Sequence, residues 1–134
     1  MNHNAGPARL ISEMKTLNGE TDGFQIISKL NCADEALLIE FRPFKQFMND
    51  LASKAGLKRS GEFYFNFAGS GFTGIVCFNG SHVSLQTEPA SNEVRIEFFL
   101  SDRILNNINI AENLYRGIRE FLGSTVVEEA YNTL

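Results

Sequence analysis

The chain reads as a single α+β domain, a two-layer sandwich with an antiparallel sheet and two main helices on one face. Three observations predict it. Short segments between residues 62 and 101 alternate apolar and polar residues, the period of two expected of half-buried strands. Two longer stretches, ending at Gly56 and Gly123, carry apolar residues at helical spacing along one face only. The order of these patterns is strand, helix, three or four strands, helix. Strands grouped between helices favour an antiparallel sheet with the helices on one side. At 134 residues there is room for one such core and not for a second.

Taken in order, residues 1–22 are polar, with Gly6, Pro7 and Gly19, and read as a flexible N-terminal arm. The domain, residues 23–123, opens with a strand from Phe24 to Leu30. From Asp34 the chain turns helical. Pro43 suits a first helical turn, so a new helix starts there. Phe44, Phe47, Met48, Leu51 and Ala55 then share one face, and Gly56 ends it. Phe63, Phe65 and Phe67 alternate with Glu62, Tyr64 and Asn66 and are expected in the core. Phe72 to Phe78 forms the next strand, and Asn79-Gly80 is the strongest hairpin signal in the chain. Val83, Leu85 and Thr87 alternate with His82, Ser84 and Gln86 on the return strand. Val94, Ile96, Phe98 and Leu100 point one way on a further strand. The last helix carries Ile110, Ala111, Leu114, Tyr115, Ile118, Phe121 and Leu122 as one stripe. Residues 124–134 read as a polar C-terminal tail.

Composition narrows the function. Hydrophobic residues make up 43% and charged residues 21%, ordinary values for a soluble globular protein. There are 12 Phe against 3 Tyr and no Trp, so aromatic bulk belongs mostly in a core or an apolar interface. The net charge of −4 and the lack of a basic run argue against a nucleic-acid partner. No apolar stretch approaches the ~20 residues that span a bilayer. The first 20 residues lack the apolar run of a signal peptide, so the expected compartment is cytoplasmic, with Cys32 and Cys77 reduced. The cysteines have no CxxC spacing and no nearby His, so no metal site is expected.

The most informative stretch is Ser81-His-Val-Ser-Leu-Gln-Thr-Glu-Pro89, which follows a Gly-rich strand. It resembles Ser-His-Ile-Ser-Ile-His-Thr-Trp-Pro of the S-adenosylmethionine decarboxylases. Further blocks extend the resemblance from about Phe24 to Phe121. Leu30-Asn31-Cys32 is similar to the Tyr-Gly-Cys that closes the family's first strand. Phe67-Ala-Gly-Ser-Gly-Phe-Thr-Gly74 is similar to Phe-x-Pro-x-Gly-Val-Ser-Gly, and Val94 to Ser101 to a strand ending Val-Asp-Val-Phe-Thr-Cys. The three central blocks keep the family's spacing without a gap.

The resemblance implies a mechanism and assigns residues to it. In that family a serine, here Ser81, attacks the carbonyl of the preceding residue, here Gly80. The peptide bond becomes an ester, which eliminates to cleave the chain and leave a pyruvoyl group. Thr73 stands where a processing serine sits, Gln86 where a histidine removes the α-proton, and Ser101 where a cysteine donates a proton. Phe67 is the matching platform for adenine. Ser84 and Glu88 complete the substrate-binding candidates, Glu88 opening the Glu88-Pro89-Ala90 that replaces Trp-Pro-Glu. The implied ligand is S-adenosylmethionine or a related small molecule. The implied setting is spermidine synthesis, and the implied assembly is a homodimer with its sites near the subunit boundary, or a pair with a catalytic paralogue. A pyruvoyl group would arise from Ser81 only if the chain is processed; otherwise no cofactor is expected.

The departures fall on the chemistry. Gln86 can hydrogen-bond but cannot act as a base near neutral pH, and losing a positioned acid–base group costs roughly 10²–10⁴-fold. Gly80 stands where the family has Glu. Ser101 is a far weaker acid than a thiol with pKa near ~8.5. Three readings follow. One is a diverged member, its self-processing impaired or lost, serving as a binding or regulatory homologue. The second is an active pyruvoyl-dependent decarboxylase of S-adenosylmethionine or a related amino acid, using Thr73 and Ser101. The third is an unrelated α+β binding domain, since Asn79-Gly80-Ser81 is also an ordinary tight hairpin.

Overall fold

A computed structural model of the chain describes residues 23–78, 80–101 and 108–133. The expected N-terminal arm, residues 1–22, lies outside them, as does Asn79. Six strands form one antiparallel sheet: β1 (Gly23–Cys32), β2 (Arg59–Phe67), β3 (Gly71–Phe78), β4 (Ser81–Glu88), β5 (Glu93–Ser101) and β6 (Ser124–Thr133). Their spatial order is β2-β3-β4-β5-β1-β6. The helices are α1 (Ala36–Ile39), α2 (Arg42–Ala55) and α3 (Ile108–Leu122), with a 3-10 turn over Pro89–Ser91. The predicted two-layer α+β sandwich is what the chain forms.

Period-two patterning decides which side of each strand meets the helices. Ile26 and Leu30 of β1, Phe72, Val76 and Phe78 of β3, Val83 and Leu85 of β4, and Val94, Ile96, Phe98 and Leu100 of β5 are buried. They meet Phe44, Met48 and Ala52 of α2 and Leu114, Ile118 and Leu122 of α3 in one cluster. Pro43 lies in the first turn of α2, and Gly56, at φ 68°, caps its end with a backbone N–H to Ala52 and Ser53 carbonyls. The other face of the sheet carries no helix among the described residues.

Two expectations are corrected. Phe63, Phe65 and Phe67 are not core residues; they stand on the open face, Phe63 with 59% of its surface exposed. The alternation of β2 is real but runs the other way. Tyr64 is the inward residue, stacked on Phe41 at 5.0 Å and edge-on to Phe44 at 6.4 Å. Gly74 makes room for it, since a Cβ there would come within 2.9 Å of the Tyr64 ring. Residues 124–133 are not a tail. They form β6, antiparallel to β1 along its whole length. A bulge opposite Lys29 and Leu30 inserts Val127, so the inward residues Val126 and Glu129 are three apart and the period of two disappears.

Candidate functional site

The resemblance-derived residues fall into two groups on opposite sides of the sheet. Ser81 opens β4 just after Gly80, whose φ of 84° only glycine adopts freely. Its side chain is buried, at 1% exposure. The Ser81 Oγ accepts a hydrogen bond from the Ser101 N–H at 2.8 Å and donates to the Ser101 Oγ at 2.9 Å. Ser101, at the end of β5, is also buried, and a side chain at Gly80 would lie beside its hydroxyl. Hence Ser81 and Ser101 are one buried cluster beside the exposed Gly80, with both hydroxyls engaged.

Thr73 and Gln86 are neighbours elsewhere. They are direct cross-strand partners on β3 and β4, on the open face. Five residues separate Ser81 from Gln86, about 17 Å along an extended strand, and the odd offset turns the two side chains to opposite faces. Within one chain, therefore, Gln86 and Thr73 cannot serve the Gly80–Ser81 bond.

The open-face pair sits in a row set by strand register. Phe65 lies across from Thr73, then Gln86 from Thr73, Arg95 from Gln86, and Lys29 from Arg95. Ser84 belongs to the next row, between Ile75 and Glu97. Together these rows line a shallow groove of about 370 Å³ with Ile27, Ile75, Thr73, Ser84, Gln86, Arg95 and Glu97 on its walls. Glu97 is held by the Gln25 amide at 2.5 Å and faces His82 at 3.4 Å, and His82 stacks on Phe99 at 5.5 Å. Phe67 is at the far end of β2, edge-on to Phe65 at 5.1 Å. Glu88 is exposed at the end of β4, opposite Glu93. Neither lines the groove. Phe65, Arg95 and Glu97 do border this region and were not candidates from sequence. Their signal was available in the register, since residues of one parity on adjacent strands share a face.

Among the described residues no group of three or more His, Cys, Asp or Glu side chains could hold a metal. Cys32 is buried, its thiol donating to the Leu122 carbonyl at 2.8 Å, and burial pushes its pKa up. It is a core group rather than a nucleophile.

The same fold is found in a known protein, and the sequence matches a known family. The family model for S-adenosylmethionine decarboxylase matches residues 25–131. The chain belongs to the S-adenosylmethionine decarboxylase family. It is similar to an S-adenosylmethionine decarboxylase proenzyme of Archaeoglobus fulgidus, 32% identical over 77 residues, which are 58% of this chain and 69% of that protein. Its fold is that of the adenosylmethionine decarboxylase of Aquifex aeolicus, at a TM-score of 0.67, covering 86% of this chain and 90% of that one with 16% identity. A decarboxylase of this family draws its pyruvoyl group from its own serine. The residues here fit that requirement in part. Ser81 is present and buried, but Gln86 replaces the base, and the Thr73–Gln86 pair lies on the other side of the sheet.

Proposed function

We propose that this chain is an S-adenosylmethionine decarboxylase-like protein of spermidine metabolism whose self-processing is impaired or lost, acting as a binding or regulatory homologue in the cytoplasm. The observation that carries this reading is Gln86. It occupies the open-face place opposite Thr73 where the family's chemistry calls for a histidine. Even where assembly brings it to the Gly80–Ser81 bond of a second chain, an amide there can hold a proton acceptor or donor in place but cannot take up the α-proton that ester elimination releases. Ser81 adds to the case, because its hydroxyl is engaged on both sides by Ser101, and those hydrogen bonds compete with attack on the Gly80 carbonyl. No pyruvoyl group then forms, and the groove retains only its binding role. S-adenosylmethionine is the ligand class this reading carries.

The active alternative has one observation in its favour: Ser101 is placed 2.9 Å from Ser81 Oγ, within reach of a group formed at that position. The mass of the purified chain separates the two readings. A single band near 15.0 kDa on a denaturing gel is expected. Two fragments of about 80 and 54 residues, split between Gly80 and Ser81, would establish the active form instead.

A further inference from the structure

We infer that Arg95 is the specificity-determining residue of the open-face groove, and that the groove takes a ligand with a free α-carboxylate and α-ammonium, keeping the carboxylate rather than removing it. This deepens the binding reading above and rests on it.

The argument begins with charge on the open face. Lys29 and Arg95 are cross-strand neighbours. The Lys29 ammonium is already paired with Glu93 at 3.1 Å. The Arg95 guanidinium has no ion-pair partner among the described residues, although it lines the groove. A guanidinium offers a planar fork of donors that matches a carboxylate in two-point contact. Glu97 lies two residues along β5, on the same face and about 7 Å away. Gln25 holds its carboxylate in position, and an ionised carboxylate has room for further donors. A cation and an anion at that spacing suit the two ends of an amino-acid zwitterion. Ser84 and Gln86, the cross-strand partners of Glu97 and Arg95 on β4, flank the pair as neutral hydrogen-bonding groups. Ile27 and Ile75 give the apolar wall along which a thioether or sulfonium side chain can lie.

Arg95 also bears on the missing reaction. Loss of CO₂ is favoured when a carboxylate sits away from positive charge and its electrons can flow elsewhere. A guanidinium clamped on the carboxylate stabilises the ionised ground state and opposes that loss. The groove chemistry and the absence of a base at Gln86 thus point the same way, toward binding without turnover.

Calorimetric titration with two matched pairs of probes tests this. One pair is S-adenosylmethionine and its decarboxylated form; the other is methionine and 3-(methylthio)propylamine. The wild-type chain should bind the carboxylate-bearing member of at least one pair about tenfold more tightly, the effect of one charge-assisted pair at a half-open site. Arg95→Gln should erase that preference. Lys29→Gln, which removes a cation already taken by Glu93, should leave it in place. Arg95 is exposed, so its substitution should not alter the melting curve, which serves as the folding control. Equal affinity within both pairs, or a preference that survives Arg95→Gln, overturns the inference while leaving the S-adenosylmethionine reading standing. Preference for methionine without binding of S-adenosylmethionine keeps the inference and removes the nucleoside from the reading. Silence from all four probes overturns both.

Discussion

At the scale of single residues, the Gly80–Ser81 bond is where chemistry and backbone conformation meet. Restoring the family's groups tests how much has been lost. Gln86→His with Ser101→Cys supplies a better acid and, from a partner chain across the subunit boundary, a base, without touching a strained position, and should give partial cleavage over hours. Adding Gly80→Glu completes the family pattern but forces a side chain onto φ 84°, at a cost of about 1–2 kcal/mol. The triple variant should therefore melt several degrees below the double variant. If the double variant folds and stays whole, the Ser81 hydroxyl is no longer turned toward the carbonyl, and the ordinary-hairpin reading of Asn79-Gly80-Ser81 gains. Gly71 is a second position fixed by space. A Cβ there would lie 2.5 Å from Thr87 Oγ1 and 2.7 Å from the Thr87 carbonyl, at φ 102°. Thr87 cannot move away freely, since its hydroxyl donates to the Leu38 carbonyl at 2.7 Å and accepts from the Phe72 N–H at 2.9 Å. Gly71→Ala should cost about 2–4 kcal/mol in chemical denaturation; a loss below half a kcal/mol would show that this turn relaxes.

At the scale of elements, β6 is the strand that sequence patterning does not reveal, and its attachment explains why. An edge strand has solvent on one side and needs little apolar surface, and the bulge at Val127 removes what alternation is left. The inward position is taken by a carboxylate. Glu129 accepts hydrogen bonds from the Tyr115 hydroxyl of α3 at 2.5 Å and from the Ser28 hydroxyl of β1 at 2.6 Å, tying helix, inner strand and edge together. Burial, and then the bond to Glu129, raise the Tyr115 pKa above the ordinary value near 10. The folded chain thus keeps this proton at pH values where the unfolded chain has lost it. The resulting stability is complete below pH 10 and declines as pH rises beyond it. Tyr64, raised chiefly by burial, acts in the same sense. Denaturation curves between pH 8 and 11 should fall at the alkaline end, and Tyr115→Phe should flatten part of that fall; an unchanged slope would remove Tyr115 from the account. By contrast α2, α3 and strands β3 to β5 were legible, because their inward residues are mostly apolar, with Ser81, Thr87 and Ser101 only at strand ends, and their caps are Pro43, Gly56 and Gly123. The site was half legible. Ser81, Thr73, Gln86 and Ser101 stand out as a spaced pattern, but only the parity of the strands separates them onto two faces.

At the scale of the whole molecule, the described helices cover the sheet on one side only. Phe63, Phe65 and Phe67 of the edge strand β2 are all exposed on the open face, and an apolar surface of that kind usually marks a contact. Among the described residues 22 buried hydrophobic side chains already fill the core, so the open-face rings are not surplus from incomplete folding. The division of the candidate residues gives a second reason to expect a partner. Ser81 and Ser101 lie at one end of β4, and Thr73 and Gln86 lie about 17 Å away on the other face, so a site drawing on both groups requires residues from two chains. A second copy of this chain, or a catalytic paralogue carrying the missing histidine, could supply them. Light scattering at micromolar concentration should give about twice the 15.0 kDa chain mass. Phe63→Ser with Phe65→Glu should shift the population toward monomer, since neither ring supports the core and a buried charge on an apolar interface is strongly disfavoured. The same variant should melt close to wild type when both are measured as monomers at high dilution. A wild-type chain that remains monomeric at these concentrations, with no gain in mass on mixing with an active family member, would remove the open face as an assembly surface.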